Sequence, residues 1–267
     1  MKLVRAQAIA LRQFYLIRGS PVRVLPMFGW AMLDLLLWGF ITKYLDTFAA
    51  AGGSFVPRLL GAVLLWDFLV RAMQGVTVAF LEDMWSRNFL NLFASPVSIA
   101  EYLSGLIATS VITSAVGLIA MIALASLAFH FSLASLGVLG APFVLVLFVF
   151  GVSLGIAASA VVLRLGPAGE WLVWPIPAVL APFAGVFYPV STLPGWMQPV
   201  SWILPPTWVF LSLRKLVAGE SVAAGDIGMA VGLAALWLLA ACGLFAWVFR
   251  QVVRTGLIAR YSAETVN

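Results

Sequence analysis

Two long stretches of this chain contain no charged side chain, and this feature most restricts how the chain can fold. Residues 102–163 hold no Asp, Glu, Lys or Arg, and neither do residues 171–213. Over the whole sequence 9% of residues are charged and 63% are hydrophobic, whereas a soluble domain carries about 25% charged residues. So few charges cannot cover a surface in water. The sequence therefore predicts an all-α membrane protein, with a single transmembrane domain over residues 1–267.

Apolar stretches long enough to cross a bilayer predict six transmembrane helices. A helix needs about 20 apolar residues to cross the hydrocarbon core, and prolines or charges mark where each stretch stops. The six predicted spans lie between residues 23 and 43, at 55–81, twice between 101 and 164 with a break near 130–132, at about 171–188, and at 227–249.

The Lys and Arg residues predict the orientation of these spans, because cytoplasmic loops are enriched in them. With both ends in the cytoplasm, residues 82–98 are cytoplasmic and residues 192–224 face outward. Arg71 then lies inside a span. The inner segments carry ten cations, Lys2, Arg5, Arg12, Arg18, Arg23, Arg87, Arg164, Arg250, Arg254 and Arg260, against four outside, Lys43, Arg58, Arg214 and Lys215.

The first 22 residues have the pattern of an amphipathic helix. At 100° per residue, Lys2, Arg5, Arg12 and Gln13 fall on one arc. An apolar set lies roughly opposite. We expect this helix to lie on the inner face of the membrane. The apolar set is Val4, Ala10, Leu11, Phe14 and Ile17.

Prolines interrupt the apolar stretch at residues 175–216, which cannot form one straight helix because proline removes a backbone donor and clashes with the preceding turn. An irregular backbone at membrane depth is tolerated only where protein or a water-filled cavity covers it. The pattern predicts half-helices at residues 192–215 that re-enter the membrane from the outer side. The residues singled out there are Pro189, Pro194, Trp196, Pro205 and Pro206.

A short charged segment, residues 82–96, follows the second predicted span. Glu82 and Asp83 are expected near a helix start, where the helix dipole favours acids, and Asp83 and Arg87 have the favourable spacing for an ion pair. Pro96 closes the segment. The residues alone fit a solvated loop helix and a docking element equally well. The segment also carries an apolar ridge of Trp85, Phe89 and Leu92.

Three charged side chains fall inside predicted spans, where an unpaired charge costs a few kcal/mol. Asp67 and Arg71 are one helical turn apart and can neutralise each other. They form either a structural ion pair or a polar patch on a translocation path. Asp34 has no partner nearby in the sequence. Two positions stay open for it: facing the second or fifth span, or lining the path.

Two blocks resemble the membrane permease subunits of type-two ABC exporters. The first is "SPVSIAEYLSG" at residues 95–105, directly after the charged segment. The second is "PFAGVFYPVSTLPGWMQPVSWILPPTW" at residues 182–208. Both occur in the family's order and with six predicted spans. The resemblance extends over nearly the whole chain.

This resemblance implies an export function powered by another chain. Such permeases move drugs, amphiphiles, lipid-linked sugars or polysaccharides, and residues 82–96 would be the coupling helix that docks on the ATPase. The sequence has no G-x-x-x-x-G-K-[ST] phosphate loop, so ATP and Mg²⁺ would be bound by two ATPase subunits. A second copy of the chain or a paralogue would complete the permease in the bacterial cytoplasmic membrane, with lipids as further partners.

The remaining sequence features favour transport over catalysis or nucleic-acid binding. We expect no cofactor, metal or nucleic acid to bind this chain. A lipid-modifying enzyme needs a convergent acid–base or nucleophile set, and an ion-coupled secondary transporter shows internal repeats with broken helices in both halves. These two classes stand as the alternatives. For the two Gly-x-x-x-Gly motifs, Gly151/Gly155 and Gly228/Gly232, we expect helix packing within the chain.

Overall fold

Helices form almost all of the structure, a computed structural model that describes residues 3–19, 21–47, 59–86, 92, 95–132, 137 and 139–257, with residues 21–28 described by their backbone alone. Two short 3₁₀ turns lie at Pro167–Gly169 and Val190–Thr192. In chain order the α-helices are α1 (Leu3–Arg18), α2 (Pro21–Asp46), α3 (Gly61–Trp85), α4 (Ile99–Phe129), α5 (Gly140–Leu165), α6 (Glu170–Val173), α7 (Ile176–Ala184), α8 (Gln198–Trp202), α9 (Pro205–Val217) and α10 (Ala224–Arg254).

Four of the described helices, α3, α4, α5 and α10, are long and apolar enough to cross a membrane. This confirms a helical membrane protein, and these four helices match the second, third, fourth and sixth predicted spans. Helix α2 corresponds to the first predicted span and is long enough, at 26 residues. It is not one of these four helices, so the first predicted span stays a prediction. The break predicted near residues 130–132 is confirmed, because α4 ends at Phe129 and His130 adopts a left-handed conformation there.

The fifth predicted span differs from the structure. Residues 171–188 were expected to form one helix, but the chain forms α6, which has four residues, and α7, which has nine. Pro175 and Pro177 lie at the junction, where each lacks the amide hydrogen that a continuous helix needs. Neither piece alone reaches the roughly 20 residues of a straight span.

Helix α3 lies at the centre of the bundle. It packs between α4 and α5, and α10 covers the far side of α5. Nearly every residue of α3 is buried, whereas α4 and α10 leave most of their most apolar stretch exposed. In a membrane those exposed faces meet lipid or another protein chain, so α3 is the helix most completely surrounded by this chain's own residues.

The close approach of α5 to α3 depends on two glycines. A Cβ built on Gly151 would lie 2.5 Å from the carbonyl oxygen of Leu69, and one on Gly155 would lie 2.6 Å from that of Met73. Real side-chain atoms do not approach backbone so closely, so only glycine allows this crossing. The packing expected of the Gly151/Gly155 motif is confirmed. Around Gly228 and Gly232 a Cβ would meet no atom of the described residues within 4 Å, so the packing expected of that motif is not found in the part of the chain that the structure describes.

A valine at Gly155 is predicted to destabilise the bundle. It would force α5 away from α3, and overpacking of this kind costs about 1–3 kcal/mol. Gly232→Val is the matched control, because it makes the same change in α10 where the space is open. The measurement is the thermal unfolding midpoint of each variant in detergent. Equal midpoints for the two variants would contradict the assigned α3–α5 crossing.

Candidate functional site: a polar stripe on the central helix

Four polar side chains share one face of α3. Asp67, Arg71, Gln74 and Glu82 recur at intervals of three, four or eight residues, which places them within a narrow arc of the helix. We call these four residues the polar stripe. Polar and ionisable groups within an apolar span are costly and usually face the bundle interior or a water-filled cavity. The stripe therefore gives α3 one polar face, which is distinct from the apolar faces that contact α5.

The deep end of the stripe is a cluster of three charged residues. Asp67 and Arg71 are both buried and interact electrostatically across one helical turn. Asp34 of α2, for which the sequence offered no partner, interacts directly with the side chain of Asp67. The structure thus places Asp34 against the second predicted span, so that α2 and α3 meet through two carboxyl groups.

Gly117 of α4 makes room for Arg71. A Cβ on Gly117 would lie 2.3 Å from Cδ of Arg71, so a larger residue would collide with the arginine stem. Arg71 is thereby held between its own helix and α4, within electrostatic reach of Asp67. Both roles considered for Asp67 and Arg71, structural pair and path lining, remain compatible with this arrangement.

A cavity of about 320 Å³ lies beside the other half of the stripe. Arg71, Gln74 and Glu82 contribute to its α3 wall, while α1 and α2 provide the facing side chains, among them Gln13 and Trp30. The stripe is therefore accessible from Arg71 to the Trp85 end of α3. Pockets that hold small organic ligands begin at roughly this size.

Asp83, the residue after Glu82, is the centre of a second polar group on α3. Its side chain is fully buried, at 0% exposed. Gln13 of α1 donates to its Oδ1 at 3.0 Å, and the Tyr102 hydroxyl of α4 donates to its Oδ2 at 2.9 Å. The guanidinium of Arg12 contacts the same carboxylate. One acid thus joins three helices, and we call Asp83 with Arg12, Gln13 and Tyr102 the Asp83 cluster.

Further contacts attach α1 to the beginning of α4. Arg5 pairs with Glu101 at 3.4 Å and donates to the carbonyl oxygen of Pro96. Glu101 also completes a capping box, accepting from the Ser98 amide at 2.9 Å while Ser98 Oγ accepts from the Glu101 amide at 3.2 Å. These bonds satisfy the first amides of α4. Helix α1 is therefore fixed to both α3 and α4.

The orientation of α1 follows from these contacts. The side of α1 that faces the bundle holds Ala6 and Ile9 as well as Gln13. Arg12 is partly buried beside them, and burial lowers its pKa. The exposed side chains of α1 are largely apolar. An exposed apolar face suits the membrane interface, and the interfacial position of α1 stays a prediction. The exposed residues include Leu3, Val4, Leu11 and Phe14.

The predicted coupling segment has a different local structure from the one expected. Glu82 and Asp83 lie in the last turn of α3 rather than at a helix start, because no helix-breaking residue precedes Trp85. Asp83 is buried in the Asp83 cluster. Arg87 and Phe89 lie outside the described residues. The docking role of the segment stays a prediction.

The two remaining residues of the predicted apolar ridge have different surroundings. Trp85 is half-exposed and its indole nitrogen donates to Glu170 Oε2 at 3.0 Å, which joins the end of α3 to the start of α6. Leu92 is partly buried and packs against the core. Of the two, Trp85 offers the more accessible side chain.

The proline-rich segment is held by side chains that bond its free carbonyl groups. Arg214 donates to the carbonyl oxygen of Gly185, which has a φ of 61° and ends α7, at 2.6 Å. The indole of Trp208 donates to Trp202 and that of Trp237 to Ile203, both at 3.0 Å. Such bonds replace the helical ones that the prolines interrupt.

The predicted residues of this segment occupy distinct positions. Pro189 begins a 3₁₀ turn, and Pro194 accepts a turn hydrogen bond from Met197 at 2.9 Å. Pro205 and Pro206 begin α9, where a missing amide hydrogen costs nothing. Trp196 is exposed. Short helices in the predicted region are therefore observed, while their re-entry into the membrane stays a prediction.

Sequence reasoning missed several residues of the site. Gln74 was overlooked because it carries no charge, although its spacing from Arg71 and Glu82 was visible in the sequence. The Ser98-x-x-Glu101 pattern is a recognisable capping box and would have located the start of α4. Nothing in the local sequence signals that Tyr102 meets Asp83.

Loss of the Asp83 charge is predicted to destabilise the protein. Asp83→Asn removes the buried carboxylate charge that the partly buried Arg12 contacts, and breaking a buried pair costs about 3 kcal/mol or more. The control is Asp226→Asn, whose 2.7 Å pair with Lys215 is more exposed and contributes about 0–1 kcal/mol.

The double variant Arg12→Gln/Asp83→Asn should recover part of the loss because no lone charge remains. Thermal unfolding in detergent gives the midpoints of the unchanged protein and of the three variants. If Asp83→Asn unfolds at the same temperature as Asp226→Asn, the Asp83 cluster does not hold α1 to the bundle.

Comparison with known proteins identifies the family of this chain. No curated protein matches the sequence. A family model described as ABC-2 family transporter protein matches residues 42–248, which include α3, α4 and α5 and most of α10, the described helices that can cross a membrane. The matched region also contains both sequence blocks on which the resemblance rested, and the chain therefore belongs to the ABC-2 transporter family.

Proposed function

We propose that this chain is the transmembrane subunit of an ATP-driven exporter and forms the path for an amphiphile, a drug, a lipid-linked sugar or a polysaccharide. The observation that carries the proposal is the match of residues 42–248 to the ABC-2 transporter family. The polar stripe supports it, because four polar side chains along the central apolar helix suit a route for a polar group through the bilayer.

The energy source is expected in a separate chain. Two ATPase subunits would bind ATP and Mg²⁺, and the permease would act as a homodimer or with a paralogue. Residues 82–96 are the proposed docking element. Helix α3 supports this role, because it runs without interruption from the buried Asp67 to Trp85, so that a push at Trp85 reaches the stripe through a single rigid element.

The proposed location is the bacterial cytoplasmic membrane, with both termini in the cytoplasm. The cation distribution supports this orientation. It puts the Asp83 cluster and Trp85 on the ATPase side and the proline-rich segment on the outer side.

The orientation is tested by labelling single cysteines in a Cys242→Ser background. Ser95→Cys and Glu220→Cys suit this test because both side chains are exposed. A membrane-impermeant maleimide added to intact cells should label position 220 and not position 95. Inverted membrane vesicles should give the opposite result. Labelling of position 95 in intact cells, with position 220 protected, would overturn the proposed orientation.

The docking role is tested by removing the exposed anchor. Trp85→Ala and Arg87→Glu should leave the chain folded and inserted, while ATPase binding weakens by about 2 kcal/mol or more, roughly 30-fold in affinity. Leu92→Ala should also weaken ATPase binding. Capture of the ATPase by the tagged permease in detergent extract measures each effect.

Trp196→Ala is the matched control for Trp85→Ala. It truncates an exposed tryptophan in the segment that the proposal puts on the opposite side of the membrane. Its ATPase binding should equal that of the unchanged protein. Wild-type binding and transport by all three variants of the 82–96 segment would show that this segment is not the coupling element.

A further inference from the structure

One line of side chains on α3 is not covered by the rest of the bundle. Residues 71–84 of this helix are all buried except Gln74, Val78 and Glu82. These three follow one another at intervals of four residues, so they lie along one face of the helix, one in each turn. All three line the cavity of about 320 Å³ beside α3. The face of α3 that the other helices leave open is therefore a wall of this cavity.

The charged side chains of the lining already have opposite charges beside them on this chain. Among the described residues that line the cavity, Arg71 and Glu82 are the charged ones. Arg71 interacts with Asp67 one turn away, and Glu82 interacts with Arg12 of α1. A charged ligand would compete with these pairs, and an ion that leaves water without a partner of its own loses its hydration uncompensated. The lining therefore favours a ligand that carries no net charge.

Apolar side chains make up most of the remaining lining. Val78 of α3 lies in the wall together with Leu16 and Ile17 of α1. Three tryptophans from different parts of the chain also line the cavity, and none of them is buried. Indole faces that the protein leaves open can stack with flat apolar molecules, so a ligand of this cavity needs an apolar body. The three tryptophans are Trp30, Trp85 and Trp174.

Gln74 supplies an uncharged hydrogen-bonding group in the α3 wall. Its side-chain amide forms no hydrogen bond with another residue that the structure describes. An amide side chain can donate two hydrogen bonds and accept others. A ligand that covers Gln74 removes water from this amide, and a polar group left without a partner costs free energy. A ligand that fits this wall therefore carries a hydroxyl or carbonyl group that bonds Gln74.

We propose that this cavity binds an uncharged amphiphile, a flat apolar molecule with one hydroxyl or carbonyl group. The polar group bonds Gln74, and the apolar body lies against Val78 and the indoles. The volume of the cavity, about 320 Å³, suits one small organic molecule. That this ligand is the exported cargo rests on the proposed function. The binding itself does not, because every residue of the site belongs to this chain.

The probe is anthracenemethanol, with anthracenecarboxylate and anthracenylmethylammonium, substituted at the same carbon, as the charge controls. Each is measured by equilibrium dialysis against the chain in phosphatidylcholine nanodiscs, and empty nanodiscs measure partition into the bilayer. The alcohol should bind saturably above that partition, and roughly fivefold or more tightly than either ion. Equal or tighter binding of either ion overturns the proposal. So does the absence of saturable binding, which is the result expected if bilayer lipid fills the cavity.

A change at Gln74 tests the hydrogen bond separately from the apolar contact. Gln74→Leu removes the amide and keeps a side chain of similar size, so it should weaken binding of anthracenemethanol by roughly fivefold, the effect of one hydrogen bond. Methylanthracene, which lacks the hydroxyl group, should bind this variant at least as tightly as it binds the unchanged protein. An equal loss for both ligands, or no loss for the alcohol, overturns the proposal.

A matched pair of variants locates the apolar body. Trp174→Leu removes a lining indole and should weaken binding of the alcohol by roughly fivefold. Trp171→Leu makes the same change at an exposed side chain that does not line the cavity and should leave the affinity unchanged. Elution as a single species in size-exclusion chromatography shows that each variant is folded, and equal effects of the two changes overturn the proposal. Binding with no ATP-driven transport would contradict the export function only, which keeps the two failures distinct.

Discussion

The structure depends on one constraint: polar groups on the central helix must find their partners within the protein, because the lipid interior offers none. Asp67 meets this constraint through Asp34 of α2 and Arg71. Asp83 meets it through Arg12 and Gln13 of α1 and through Tyr102 of α4. The positions of α1 and α2 follow from these contacts. The apolar surface of a span could pack against many neighbours, whereas a buried carboxylate accepts few.

The two sides of α3 differ in how tightly they are packed. On the α5 side, Gly151 and Gly155 bring the two backbones together and leave no room for a side-chain atom. On the side of α1 and α2, the stripe borders a cavity of about 320 Å³. Core packing transmits strain and deforms little, so α3 and α5 behave as a unit. The open side has room for a small ligand.

Sequence reasoning located most helices but misplaced side chains whose surroundings are tertiary. The charge-free stretches and prolines were sufficient for α4, α5 and the short helices α8 and α9, but not for the division of residues 171–188 into two pieces. They could not show that α3 continues through Asp83, because a charged residue at the end of a span looks the same whether it meets water or a buried arginine. The Asp34–Asp67 contact joins residues far apart in the chain. Periodicity gives the face on which Asp34 lies, but not the helix that faces it.

The central claim is that this chain forms a transport path and leaves nucleotide chemistry to another polypeptide. The most direct test is purification of the tagged chain from its native membranes, followed by mass spectrometry and an ATP hydrolysis assay. The account predicts a co-purifying protein with a phosphate loop, in equal number with the permease, and hydrolysis that disappears when that protein is removed. ATP hydrolysis by the isolated chain, or purification of an active transporter with no such protein, would contradict it.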